Sequence, residues 1–134
     1  MTLPDADSKA ISQTIDGYIS DYNRHDANAI GAWFTEDANY VNSGGMTDQG
    51  RAAVAQRFVT RFNGTLKTAH RTYVLKSVRP IDSQVALAYA TSEVTGRKKA
   101  DGSDEPVAKS LYELVLRKQG DKWLIADFHE SDLP

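Results

Sequence analysis

The hydrophobic period of this chain changes once, near residue 65, and that switch limits the possible folds more than any other feature. Before it, apolar residues recur three and four apart, as on one face of a helix. After it they alternate at two, the repeat of a strand. Ile11, Ile15, Tyr18, Ile19 and Tyr22 mark a first helix, which Asp7 or Ser8 can cap. Asn23-Arg24-His25-Asp26 interrupts it, and Asp26 opens a short second helix with Ala29, Ile30, Trp33 and Phe34 on its apolar side. A short alternating segment over 37–42 ends in the Ser43-Gly44-Gly45 turn. A third helix is predicted from Arg51 to Phe62, stopped by Asn63-Gly64.

Beyond the switch, four strands are predicted over 67–79, 83–98, 107–118 and 122–130. Pro80-Ile81-Asp82, Ala100-Asp101-Gly102-Ser103 and Gln119-Gly120-Asp121 supply the turns. Connections this short make neighbouring strands antiparallel. Helices first and a meander of long strands after them read as an α+β architecture. Strands longer than the usual five or six residues imply strong coiling or bulges. With 134 residues there is room for one core, so a single domain is expected over 8–131, with a flexible arm at 1–7.

Composition narrows the function. Sixteen basic and eighteen acidic residues are mixed along the chain, net −2, which gives no footprint for nucleic acid. The one basic run, Arg97-Lys98-Lys99, is followed by Asp101, Asp104 and Glu105, as in a solvated hairpin loop. With no cysteine, thiolate chemistry and sulfur-ligated metals are excluded. The histidines at 25, 70 and 129 have no metal-ligand spacing, so no metal is expected. Nucleotide-binding glycine motifs and a serine elbow are also missing, so no cofactor is expected. No apolar stretch approaches the ~20 residues that span a bilayer, and the first residues do not read as an export signal. The expected location is the cytoplasm.

The motifs Arg24-His25-Asp26, Trp33-Phe34-Thr35-Glu36-Asp37-Ala38, Gly50-Arg51 and Gly120-Asp121-Lys122-Trp123-Leu124-Ile125 through His129 carry a resemblance. Together they resemble the SnoaL-like and DUF4440 families of the nuclear-transport-factor-2-like superfamily, over residues 8–131. The resemblance implies a cone-shaped domain, with three N-terminal helices packed against a strongly curved, mainly antiparallel sheet. It leaves the activity open among isomerases, cyclases, dehydratases, oxygenase subunits and non-catalytic binding or assembly domains. Ketosteroid isomerase, a distant chemical parallel, uses a tyrosine of its first helix as oxyanion donor, an aspartate base and a neutral aspartic acid. Tyr18 matches the tyrosine, whereas Asn42 falls at the base and Lys109 near the third carboxyl. An amide cannot take the proton, so the steroid-type shuttle loses its central group.

The residues themselves suggest a pocket. Tyr18, Asp127 and His129 are the candidate catalytic groups. On the last strand Trp123, Ile125, Asp127 and His129 share one face by simple alternation. Trp33, Tyr40, Asn42, Phe58, His70, Tyr89, Tyr112 and Trp123 are the candidate binding residues: flat apolar faces with hydroxyls, amide and imidazole between them. Glu93 and Glu113 are further candidate acids if they point inward. The partner such a pocket fits is a small apolar or aromatic ligand, planar or polycyclic and oxygenated. Ala86, Ala88 and Ala90 alternate with Val85, Leu87 and Tyr89, so both faces of that strand are apolar. Three helices cover only one face, which predicts a homodimer through the other. Three readings stay open: an isomerase, cyclase or dehydratase; a non-catalytic ligand carrier; an assembly domain.

Overall fold

The computed structural model describes residues 2–134. The chain runs α1 (Asp5–Asn23), α2 (Ala27–Gly31), β1 (Phe34–Val41), β2 (Thr47–Gln49), α3 (Arg51–Phe62), β3 (His70–Pro80), β4 (Val85–Thr95), β5 (Ala108–Gln119) and β6 (Lys122–Asp132). The switch in period falls where α3 gives way to β3. Helix α3 has the bounds its pattern predicts and buries Val54, Phe58 and Phe62. Helix α2 is capped as expected, its Ala29 N–H donating to Asp26 Oδ1 at 3.1 Å.

Helix α1 starts earlier than its apolar repeat suggests. Asp5 to Asp7 are helical, Leu3 is buried, and no side chain caps the end. Asp7 is committed elsewhere: its Oδ1 accepts from Trp123 Nε1 at 3.0 Å and pairs with Lys118 Nζ at 3.0 Å. Those two partners, the indole first, hold the Asp7 carboxyl below the usual aspartate range. Asp7 therefore ties the start of α1 to β5 and β6. Met1, the first residue of the expected arm, lies outside the described residues.

The sheet corrects the expected architecture. In place of a strongly curved, cone-forming sheet there is an open six-stranded one, in the order β2-β1-β6-β5-β4-β3, with β2 and β3 as free edges. It is mixed, because β1 lies parallel to β6 while the other neighbours are antiparallel. The reason lies before residue 65, in a segment that supplies two strands as well as helices. The backbone leaves α2 and turns extended at Phe34, and Ile125 N–H donates to Trp33 O at 2.9 Å. Phe34 then pairs with Ile125, and Tyr40 with Phe128. Length in β3 and β6 is accommodated by local register shifts rather than by closure.

Helices cover one face of this sheet. Ala86, Ala88 and Ala90 of β4 are fully buried there, small enough to let aromatic side chains lie against the strand. Thirteen close ring pairs form a continuous cluster; within it Phe128 stacks on Tyr40 at 4.6 Å and tilts against Tyr18 at 5.3 Å. Gly96 closes the far end of β4. Its φ is +74°, and a Cβ there would lie 2.3 Å from Thr68 O, so only glycine fits. No helix among the described residues is long and apolar enough to cross a membrane.

Candidate functional site

A one-residue bulge in β6 decides which side chains meet inside. Leu116 pairs with Ile125 but Val115 pairs with Asp127, leaving Ala126 as the extra residue. A bulge reverses the alternation beyond it. Trp123 and Ile125 point inward before it, Phe128 and Glu130 after it. Asp127 and His129 consequently lie on the outer face, His129 exposed and Asp127 half-buried. The expected convergence of His129 with Tyr18 and Trp123 does not occur.

Glu130 takes the inward place instead. It is only 8% exposed, and beside it is Arg71 of β3, only 4% exposed. Their Oε1 and Nη2 atoms are 3.7 Å apart. Tyr40 donates its hydroxyl to Glu130 Oε2 at 3.3 Å, and Arg71 Nη1 donates to the Tyr18 hydroxyl at 3.5 Å. The guanidinium also lies 4.3 Å from the Tyr22 ring centre and 5.1 Å from that of Tyr112, within cation–π range. Burial pushes the Tyr18 hydroxyl up to about 12 and drives Tyr40 well above the ordinary tyrosine value. Both are proton donors across the neutral range. Burial by itself would lower the Arg71 guanidinium, but the oxygens of Tyr18, Tyr22 and Glu130 outweigh it and the net shift is upward.

Several polar groups of this interior are left unmatched. Arg71 Nε, the Tyr22 and Tyr112 hydroxyls and Ser92 Oγ are buried with no hydrogen-bond partner among the described residues. Such groups cost free energy unless something accepts from them. The guanidinium is fixed through its own backbone: Asn23 Nδ2 donates to Arg71 O at 2.9 Å, and Arg71 N–H donates to Asn23 Oδ1 at 2.7 Å. His25, in a left-handed conformation at φ 57°, sets its Nε2 2.9 Å from Ala69 O. The turn after α1 thereby grips the start of β3.

The other expected residues divide. Tyr18, Tyr40, Phe58 and Tyr112 gather in the interior. Asn42 forms a turn, its Oδ1 accepting from the Gly44 and Met46 N–H groups at 3.0 Å each. His70 is exposed, Tyr89 is half-buried on the outer face, and Glu93 and Glu113 are exposed. Trp33 and Trp123 are pinned to α1. Trp33 Nε1 donates to Asp21 Oδ2 at 2.7 Å, with its ring against Gly17, where a Cβ would lie 2.1 Å from the ring. Both tryptophans line a surface cleft of about 460 Å³ with Thr14 and Leu124. That cleft holds none of the interior polar groups, and its indole N–H groups are already satisfied, so the chemistry points to the interior. Among the described residues no three histidine, aspartate or glutamate side chains gather as metal ligands.

Helices laid on one face of a mixed sheet, over a sealed polar and aromatic interior, define a nuclear-transport-factor-2-like protein. Within that class the chain belongs to the SnoaL-like domain family, which matches residues 6–129. Solved structures agree in fold. A protein of cystatin-like fold from Caulobacter vibrioides is 22% identical, with a TM-score of 0.87 over 96% of this chain and 90% of that one. A domain of the same fold from Nostoc punctiforme is 22% identical, with a TM-score of 0.86 over 98% and 80%. A ketosteroid isomerase-like protein from Erwinia carotovora atroseptica is 23% identical, with a TM-score of 0.78 over 94% and 95%. A comparison with curated proteins finds no match.

Proposed function

We propose that this protein takes a flat, oxygenated small molecule into its interior and moves a proton on it, as an isomerase, cyclase or dehydratase does. The observation that carries the reading is the buried Arg71–Glu130 pair among tyrosines, with Arg71 Nε and the Tyr22 and Tyr112 hydroxyls left unmatched. A carbonyl oxygen on a planar ligand would accept from Arg71 Nε and the Tyr22 or Tyr112 hydroxyl, with its ring among the aromatic faces. Glu130 is then the base. Its carboxylate takes a proton from the carbon next to the carbonyl, the C–H electron pair becomes a C=C bond, and the oxygen carries the charge. Arg71, Tyr18 and their neighbours stabilise that oxygen more as its charge grows. Tyr18 keeps the donor role its sequence position suggests. In this reading Glu130 and Arg71 take the catalytic places expected of Asp127 and His129.

The interior rings touch one another, so a guest enters as they part. A carrier that binds the same ligand without chemistry is the second reading, favoured by that close packing. Deuterium exchange separates the two. With 2-tetralone in D2O, the protein is expected to accelerate exchange of the protons beside the carbonyl, and Glu130→Gln to remove at least a hundredfold of that acceleration. Binding without exchange leaves the carrier. Neither binding nor exchange removes the interior from consideration. We also read the uncovered face of the sheet as the surface on which a second copy docks.

A further inference from the structure

Ser92 is a buried polar group that proton transfer by Glu130 and Arg71 leaves unused. It stands on β4 between Ala90 and Val94, shares their inward parity, and is only 3% exposed. Its Oγ has no hydrogen-bond partner among the described residues. A hydroxyl enclosed in this way costs free energy until something bonds to it. The strand register shows what lies around it. On one side Arg71 of β3 pairs with Val94, Tyr73 with Ser92 and Leu75 with Ala90. On the other, Ser92 pairs with Ser110 of β5, Ala90 with Tyr112, and Tyr112 in turn with Glu130 of β6. Arg71 brings its guanidinium to 5.1 Å from the Tyr112 ring centre and to 3.7 Å from the Glu130 carboxylate. Its side chain therefore crosses β4 from the Val94 row toward the Ala90 row. The inward residue between those two rows is Ser92.

The neighbours of Ser92 leave its hydroxyl open. Tyr73 donates to Asp16 of α1, and Ala90 and Val94 have no polar side-chain atom. Ser110, also 3% exposed, sets a second hydroxyl directly opposite. We infer that Ser92 binds a hydroxyl group of the ligand whose carbonyl Arg71 receives, so that the substrate class is a hydroxylated planar ketone. The chemistry of the surroundings selects that group. A serine hydroxyl both donates and accepts, whereas the guanidinium and the tyrosine hydroxyls beside it are donors. Ser92 Oγ is thus an acceptor that a ligand O–H can reach without competing for Glu130. An ether or a second ketone could only accept, and an ammonium group would face the Arg71 charge. Ala86, Ala88 and Ala90 keep the same face of β4 low, which leaves a flat ring lying on the strand free to bring its hydroxyl to Ser92. The inference rests on the interior as the binding site, and adds the group that tells one flat ketone from another.

A preference measured with and without the serine hydroxyl tests it. Isothermal titration calorimetry on wild type and Ser92→Ala compares 9-fluorenone, its monohydroxy isomers and the methyl ether of the isomer that binds best. Alanine already occupies the three preceding inward places of β4, so Ser92→Ala is expected to fold as the wild type does, with circular dichroism as the check. In the wild type the best isomer is expected to bind about tenfold tighter than 9-fluorenone, or more, and its methyl ether no tighter than 9-fluorenone. Ser92→Ala is expected to erase that preference while leaving the affinity for 9-fluorenone unchanged. A wild type that binds the hydroxylated and parent ketones equally, or a preference that persists in Ser92→Ala, overturns the assignment of Ser92 and leaves the interior reading standing. No binding of any of these ketones removes the interior reading, and this inference with it.

Discussion

The two faces of the sheet are made from the same strands and read in opposite ways. The inner face is aromatic and buried, and its two charged groups meet in one cluster, Arg71 and Glu130 among Tyr18, Tyr40, Tyr22 and Tyr112. On the outer face half-buried apolar residues mix with charges spread from β6 to β3. Ionisable residues are common on both, so residue type alone does not show where chemistry lies. Burial and pairing do. Asp127 and His129 face water with room for solvent, while Glu130, one residue further along, is enclosed with a guanidinium.

That contrast hangs on the bulge at Ala126, and exchanging two residues that it sorts should produce the largest effect. The double variant Phe128→His with His129→Phe would set an imidazole among the interior rings and a phenyl ring in water. The expected outcome is loss of the cooperative thermal transition by circular dichroism. An exchanged variant that melts like wild type would show that the bulge does not set the two faces apart.

Next in size is the buried pair. Glu130→Ala strands a guanidinium and a Tyr40 hydroxyl in the interior, and should cost about 3–5 kcal/mol in urea unfolding. Replacing both partners with apolar residues of similar volume, Arg71→Met with Glu130→Leu, should recover most of that loss. Equal losses in the single and double variants would mean that the two charges are not coupled.

High pH should destabilise the fold through its inner face. Tyr18 has a folded value raised from 10.0 to about 12, so its neutral form favours the fold. Its contribution is complete below pH 10 and is lost as pH rises from 10 to 12. Tyr40 shifts in the same direction. Urea midpoints for wild type should fall across that window, and fall less for Tyr18→Phe, provided the latter is folded at pH 8. The smallest effect belongs to the outer face: His129→Ala should change stability by no more than about 0.5 kcal/mol.

Much of this molecule could be read from residue order. The switch of period gave α3 and the four long strands, and the turn residues placed their ends. Tyr18, Tyr40, Phe58 and Tyr112 were visible as aromatics on inward-facing positions. What escaped was whatever depends on partners far along the chain. The parallel β1–β6 pairing draws Phe34 into a strand, although its local neighbours read as helix. Asp7, a helix cap by local pattern, is taken by Trp123 and Lys118. The Ala126 bulge leaves no mark in the sequence, since alanine fits either face. Arg71 and Glu130 did carry a signal. Arg71 shares its strand parity with Ala69, Tyr73 and Leu75, and Glu130 shares its parity with Phe128. A charge on an otherwise apolar parity is the pattern that marks a buried ion.

The most direct test of the inner-face claim is a side-chain nitrogen spectrum of the ¹⁵N-labelled protein titrated with 9-fluorenone, a flat neutral ketone. The account predicts that the Arg71 Nε–H resonance shifts saturably, because that donor finds its acceptor, while the Trp33 Nε1–H signal in the surface cleft stays in place. Saturable shifts at Trp33 with Arg71 unmoved would contradict it, and would put the ligand on the outside of the molecule.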